Sequence, residues 1–134
     1  MAKILIVEDE EASIHILKQI MSAYGECETA KTAKQALTLY LSAIKNKAKF
    51  DLILLDISLE EGSGLAVLKK IREMEKKAGI KNKKEGVTII MTTGNQTEKV
   101  VKDAIAAGCN GYILKPLQLD MIKKILKQNS IEPV

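Results

Sequence analysis

Short apolar runs of strand length alternate along this chain with stretches whose apolar residues recur every three or four positions. Residues 3–7 read as a buried strand. Behind it Ile14, Leu17, Ile20, Met21 and Tyr24 share one helical face, and Gly25 is placed to end that helix. Residues 27–30 form a weaker second strand. Thr32 followed by Gln35 has the form of a capping box, and Ala36, Leu39, Tyr40 and Ile44 continue the second helix. Residues 50–55 make a third strand, apolar apart from Asp51. The break at Gly62-Ser63-Gly64 precedes a third helix carrying Leu65, Leu68 and Ile71. A fourth strand comes at 87–91, and a fourth helix runs roughly from Gln96 to Ala107, closed by Gly108. The fifth strand is 112–114. The last helix carries Leu119, Ile122, Ile125 and Leu126.

Strict alternation of strands and helices predicts a parallel sheet covered by helices on both faces. The apolar strands fit burial on both sides. We therefore expect an α/β fold with five parallel strands in the flavodoxin-like order 2-1-3-4-5, a three-layer sandwich. Residues 1–128 are expected to form one domain, and 129–134 an unstructured tail. In such sheets the ligand crevice lies beyond the carboxyl ends of the strands.

Composition narrows the classes. The chain has 134 residues, of which 46% are hydrophobic, the content of an ordinary single domain. No apolar run approaches the ~20 residues of a membrane span. The first apolar run meets Glu8-Asp9-Glu10-Glu11 at once, unlike a signal peptide, so a cytoplasmic protein without membrane association is expected. A net charge of +4 raises the question of nucleic acid, and five lysines fall between positions 76 and 84. Aromatic residues are only 3% of the chain, which leaves almost no stacking surface. That segment is expected to be a mobile, solvated loop without nucleic-acid contact. Cys27 and Cys109 lack metal-ligand spacing and read as free thiols, and His15 has no neighbouring ligand type.

The candidate chemistry stands at the strand ends. Strand one ends in Glu8-Asp9, strand three in Asp56, strand four in Thr92-Thr93-Gly94, and strand five in Lys115-Pro116. The fold gathers these ends into one crevice. Strands one and three would be neighbours, so Glu8, Asp9 and Asp56 would crowd together. Two like charges near 4 Å repel by about 4 kcal/mol at an effective dielectric of about 20. Lys115 supplies one counter-charge, and a divalent cation would supply more. Oxygen-only ligation suits Mg2+. A carboxylate can accept a phosphoryl group as an acyl phosphate, with cations neutralising the transferred oxygens and a hydroxyl bonding one of them. Asp56, with acids on one side and Thr93 and Lys115 on the other, is the best nucleophile.

This ordered set resembles the receiver domain of bacterial two-component response regulators, in its single-domain, chemotaxis-type form. The run from Ile4 to Glu10 is similar to that family's opening strand and acidic pair. Asp51-Leu52-Ile53-Leu54-Leu55-Asp56 is similar to its phospho-acceptor strand, Thr93-Gly94 to its switch hydroxyl, and Gly111-Tyr112-Ile113-Leu114-Lys115-Pro116 to its fifth strand, aromatic switch and lysine. The resemblance implies Asp56 as phospho-acceptor and Mg2+ held directly by Asp9 and Asp56. It adds the backbone carbonyl of Ser58 as a ligand and Glu8 acting mainly through water. It selects Thr93 over Thr92, because the hydroxyl precedes a small residue and lies 22 positions before Lys115. It implies Tyr112 as the aromatic switch and a cis Lys115-Pro116 bond. The phosphoryl donor would be a sensor histidine kinase or histidine phosphotransfer protein. A downstream protein would bind the face of helix four, strand five and helix five, and the protein would be a monomer and a switch, not an enzyme.

The departures are Glu60 where the family usually has Pro, Gly94 for the commoner Ala, a positive charge, and long stretches at 32–49 and 75–86. Three rivals share parts of the pattern. A haloacid-dehalogenase phosphatase needs a second aspartate two residues after the nucleophile, where this chain has Ser58. A flavodoxin needs a hydroxyl- and glycine-rich phosphate loop after strand one, where this chain has acids. A degenerate receiver would have lost an acid or the lysine.

Overall fold

The computed structural model describes residues 2–59, 62–94 and 98–134. The chain runs β1 (Ala2–Val7), α1 (Glu11–Met21), β2 (Gly25–Ala30), α2 (Ala33–Lys45) and β3 (Leu52–Asp56). It continues through α3 (Gly64–Lys77), β4 (Thr88–Thr93), α4 (Glu98–Ala106), β5 (Gly111–Leu114) and α5 (Leu119–Gln128). All strand pairs are parallel, in the order β2-β1-β3-β4-β5. This is the expected flavodoxin-like sandwich.

Alternation along each strand divides the core in two. Leu5, Val7, Ile53, Leu55, Ile89 and Met91 face α2, α3 and α4. Ile4, Ile6, Leu52, Leu54, Ile90 and Ile113 face α1 and α5. Both sides of the central strands are thus dry, which explains why β1 and β3 read as continuous apolar runs. Each such side chain contributes roughly 1.5–3 kcal/mol through burial.

Local signals set most boundaries. The Thr32 side chain accepts from the Gln35 amide at 3.1 Å, and the Gln35 side chain accepts from Lys31 N–H at 2.9 Å, a capping box displaced by one residue. Ser63 caps α3 through the Ala66 amide. Gly108, at φ +97°, closes α4. The expected start of α4 near Gln96 lies outside the described residues, as does Glu60.

One expectation is overturned, and two others gain detail. Gly25 does not end α1. The helix stops at Met21, Tyr24 turns into the α1/α5 core, and Gly25 opens β2. A side chain there would meet the Ala2 carbonyl oxygen, with a Cβ only 2.0 Å away. The five lysines between 76 and 84 are all exposed, as expected, but Lys76 and Lys77 belong to α3, and the segment beyond the helix is tied to backbone. The Asn82 side chain accepts from the Lys84 and Glu85 amides, and Lys83 Nζ donates to the Cys109 carbonyl at 3.1 Å. The tail has no regular structure but is not free. Ser130 adopts φ +62°, Ile131 packs on the α1/α5 core, and Val134 N–H donates to the Ala23 carbonyl at 2.8 Å.

Candidate functional site

The carboxyl ends of β1, β3, β4 and β5 meet at one rim of the sheet. Glu8 comes directly after β1 and is held there by its N–H, which donates to the Ala30 carbonyl at 2.9 Å. Its side chain is fully buried, and Oε2 accepts the Asp9 and Glu10 amides at 3.0 and 3.2 Å. Glu10 in turn accepts from the Ser13 hydroxyl at 3.0 Å, which steadies the turn into α1. Asp56 closes β3 and is 2% exposed, and its Oδ1 accepts the Ser58 amide at 3.1 Å. Lys115 stands just beyond β5 and precedes Pro116 through a cis peptide bond, and its N–H donates to the Thr93 carbonyl at 2.8 Å.

Lys115 Nζ lies 2.8 Å from Glu8 Oε1 and 3.4 Å from Asp56 Oδ2. The first contact has the distance of an ion pair but not the angles of a hydrogen bond. Glu8 Oε1 is therefore a buried carboxylate oxygen without a hydrogen-bond donor among the described residues. The attraction is Coulombic.

Burial pushes the Asp56 carboxyl up to about 7, helped by the neighbouring Glu8 carboxylate. The Ser58 amide and Lys115 oppose this without cancelling it. Burial alone would lower Lys115, but Glu8 and Asp56 outweigh it and raise its ammonium above the ordinary value. Carboxylate oxygens of Glu8, Asp9 and Asp56 all lie within 4.8 Å of one another. An oxygen-only donor set, partly buried and with one oxygen uncapped, fits a hard divalent cation.

Thr93 ends β4 and is fully buried. It pairs with Leu114, while Tyr112 pairs with Met91 two positions earlier. Alternation therefore puts Thr93, Leu114 and Tyr112 on one face of the β4–β5 pair. Tyr112 is 39% exposed, at the surface of that face. Thr92 pairs with Asp56 and faces the α1/α5 side.

The family model for the response regulator receiver domain matches residues 4–127. The chain belongs to that family. As a receiver it is a phosphoacceptor module of two-component signalling. It is 32% identical to hybrid signal transduction histidine kinase L of Dictyostelium discoideum over 96% of its own length, though it spans only 7% of that protein. It is 32% identical to the transcriptional regulatory protein CitT of Halalkalibacterium halodurans over 92% of its length, spanning 50% of that protein. A CheY-like receiver domain protein from Methanospirillum hungatei JF-1 superposes with a TM-score of 0.75 at 30% identity, covering 97% of this chain and 94% of the other.

The receiver fold thus brings Glu8, Asp9, Asp56, Ser58 and Lys115 together at one rim, with Thr93 at the adjoining strand end. Among the described residues, no helix is long and apolar enough to cross a membrane. A second polar centre escapes a reading of the sequence. Arg72 donates to the Gly108 and Val87 carbonyls, to Glu75 at 2.7 Å and to Asn110 Oδ1 at 2.6 Å. One signal for it exists: Glu75 falls on the apolar stripe of α3, four residues after Ile71.

Proposed function

We propose that Asp56 is the phosphoacceptor, that Mg2+ is held beside it, and that the phosphorylated domain controls a protein partner. The observation that carries this is the triad Glu8, Asp9 and Asp56 within 4.8 Å, faced by Lys115 at 3.4 Å from Asp56. Asp9 and Asp56, with the Ser58 carbonyl, would hold the metal, and Glu8 would steady it. A bound divalent cation supplies charge neutralisation at the transferred oxygens.

The Asp56 carboxylate attacks the phosphorus of a phosphohistidine on a sensor kinase or phosphotransfer protein. The new O–P bond forms as the P–N bond breaks, and the imidazole leaves with the electron pair. Lys115 is within reach of Asp56 and offsets charge gathering on the phosphoryl group. Ser58 offers only a hydroxyl where a phosphatase would place its acid, so the domain acts as an acceptor and not as a turnover enzyme. The acyl phosphate adds about two negative charges and new acceptor oxygens. The Thr93 hydroxyl bonds one of them, and Tyr112, partly exposed before the transfer, moves into the space vacated beside β5. The face of α4, β5 and α5, which exposes Ile105, Tyr112 and Met121, changes shape and so does its affinity for a downstream protein.

Acetyl phosphate with Mg2+ should add one phosphoryl group by intact mass. Asp56→Asn should abolish the gain, and Asp9→Ala should greatly weaken it. Equal labelling of Asp56→Asn refutes the assignment.

A further inference from the structure

At the opposite end of the sheet from the crevice, a pocket of about 260 Å³ opens between α3, the segment that follows it and the end of α4. Four cationic residues line it, Arg72, Lys76, Lys81 and Lys83, against one acid, Glu75. Glu75 is not a free charge there, since its two oxygens accept Arg72 Nη1 and the Val87 amide, each at 2.7 Å. Arg72 and Glu75 cancel, which leaves three lysines that no acid of the lining opposes. The other acids of these elements have other places. Glu73 pairs with Lys77 at 3.3 Å. Glu85 accepts the Lys81 amide at 3.2 Å, and its side of the segment lines a separate cavity between α2 and α3. Asp103, on α4, does not line the pocket.

The end of a helix carries carbonyl oxygens that repel an anion. Two carbonyls at the end of α4 are covered by the pocket's own cations. Gly108 accepts Arg72 Nε at 2.9 Å, and Cys109 accepts Lys83 Nζ at 3.1 Å. That bond uses one of the three N–H groups of Lys83 and none of its charge. The turn that carries the lysines is fixed as well. Asn82 accepts the Lys84 and Glu85 amides, and Asn110 Nδ2 donates to the Lys83 carbonyl at 3.2 Å. Lys81 and Lys83 therefore project from ordered backbone, which lowers the cost of gathering them on one ligand. Lys76 and Lys81 are exposed, and their ammonium groups form no ion pair among the described residues.

We propose that this pocket binds a small multivalent oxyanion, a condensed phosphate or a polycarboxylate. Lys76, Lys81 and Lys83 meet its charges, while Arg72 braces the wall behind them. No aromatic side chain is among the described residues that line the pocket, so a nucleobase finds no stacking surface there. The site lies at the other end of the sheet from Asp56, so its fate and that of the phosphoacceptor assignment are separable.

The test is titration of the metal-free full chain with pyrophosphate and, separately, with citrate, followed by amide proton–nitrogen correlation spectra. Saturable shifts are expected at Lys81, Asn82, Lys83 and Ala107, with a Kd on the order of 1 mM at low salt. Binding should weaken at least about threefold between about 20 and about 150 mM NaCl. Acetate at equal ionic strength should bind at least about tenfold more weakly, because it engages one lysine at a time. Lys76→Gln combined with Lys81→Gln removes two ammonium groups that hold nothing else, so the fold is kept and binding should fall at least about fivefold. Lys69→Gln combined with Lys70→Gln makes the same change of net charge on α3 outside the pocket, and should alter binding less than about twofold. The tighter of pyrophosphate and citrate assigns the oxyanion as phosphate or carboxylate. Absence of saturable shifts overturns the proposal, and so does equal weakening in the two double variants, which means attraction by net charge alone. Acetate binding as tightly as the multivalent anions overturns it too. A DNA duplex that binds more tightly than either, through Lys76 and Lys81, overturns the assignment of a small ligand. Labelling of Asp56 by acetyl phosphate should be unchanged in the Lys76 and Lys81 double variant.

Discussion

Replacing Asp56 by Asn should stabilise the metal-free protein, although it destroys the proposed acceptor. The carboxyl of Asp56 is 2% exposed and lies with Glu8 and Asp9 in a cluster whose oxygens are within 4.8 Å. At that separation two unit charges repel by about 3.5 kcal/mol at an effective dielectric of about 20. Titration gives a second measure. The carboxyl moves from 3.8 to about 7 on folding, and each unit corresponds to about 1.4 kcal/mol, so ionising Asp56 costs the fold about 4 kcal/mol. Lys115 is already included in that second figure. Asn keeps the shape and can still accept the Ser58 amide. A gain of about 2–4 kcal/mol is therefore expected near pH 8 in chelator. The sign comes from the direction of the shift. A carboxyl that titrates higher when folded leaves stability intact below its unfolded value of 3.8 and erodes it as pH rises toward about 7. The advantage of Asn should thus vanish near pH 4 and be complete by about pH 8. Mg2+ should narrow the gap by stabilising the wild type alone. Urea unfolding at several pH values, with chelator and with Mg2+, measures all of this. A variant no more stable than the wild type near pH 8 in chelator refutes the reasoning.

Lys115→Met should act in the other direction. It strands Glu8 and Asp56 without a counter-charge, and a loss of about 2–4 kcal/mol is expected in chelator, part exposure of the lysine being allowed for; urea melts will show it. Arg72→Met should cost about 3–5 kcal/mol by leaving Glu75 buried and unpaired, and Arg72→Lys should recover little because one ammonium cannot serve four acceptors. Asp56 labelling of whatever Arg72 variant remains folded should be normal. Deleting residues 130–134 should cost about 1–2 kcal/mol through lost Ile131 packing and the Val134–Ala23 bond, and amide exchange at the end of α1 should quicken. Thr93→Ala should leave phosphorylation largely intact while the resulting chemical-shift changes around Tyr112 shrink sharply; full-size changes would break the coupling assigned to Thr93.

The sheet is legible in the sequence because burial on both faces leaves an unmistakable mark. Residues 4–7 and 52–55 are apolar at every position, and no amphipathic helix or surface strand reads the same way. The crevice is legible because charged residues stand at the ends of those runs. The features that escape reading depend on residues distant in sequence. Gly25 resembles a helix terminator because its actual constraint, the Ala2 carbonyl, comes from a strand 23 residues earlier. Composition reveals the exposure of the lysines at 76–84 but not the local and long-range bonds of Asn82, Lys83 and Glu85 to backbone. Arg72 and Glu75 resemble an ordinary surface pair on α3, since their other partners, Val87, Gly108 and Asn110, lie on later parts of the chain.

The sorting of side chains by strand parity has a consequence for how β4 can change over time. Thr92 and Thr93 are chemically the same residue, yet one faces α1 and α5 beside Asp56 and the other faces α4 with Tyr112. Hydropathy cannot tell them apart, and neither can a composition-preserving shuffle of the strand. A one-residue slip of β4 that set Thr93 beside Asp56 would keep a threonine next to the acceptor strand while putting Gly94 beside Leu114 and turning Ile89, Ile90 and Met91 to the opposite layers. The domain would lose its core packing before it lost its hydroxyl. Selection for a dry core therefore also guards the position of the switch, and the register of the signal is inherited along with the stability of the fold.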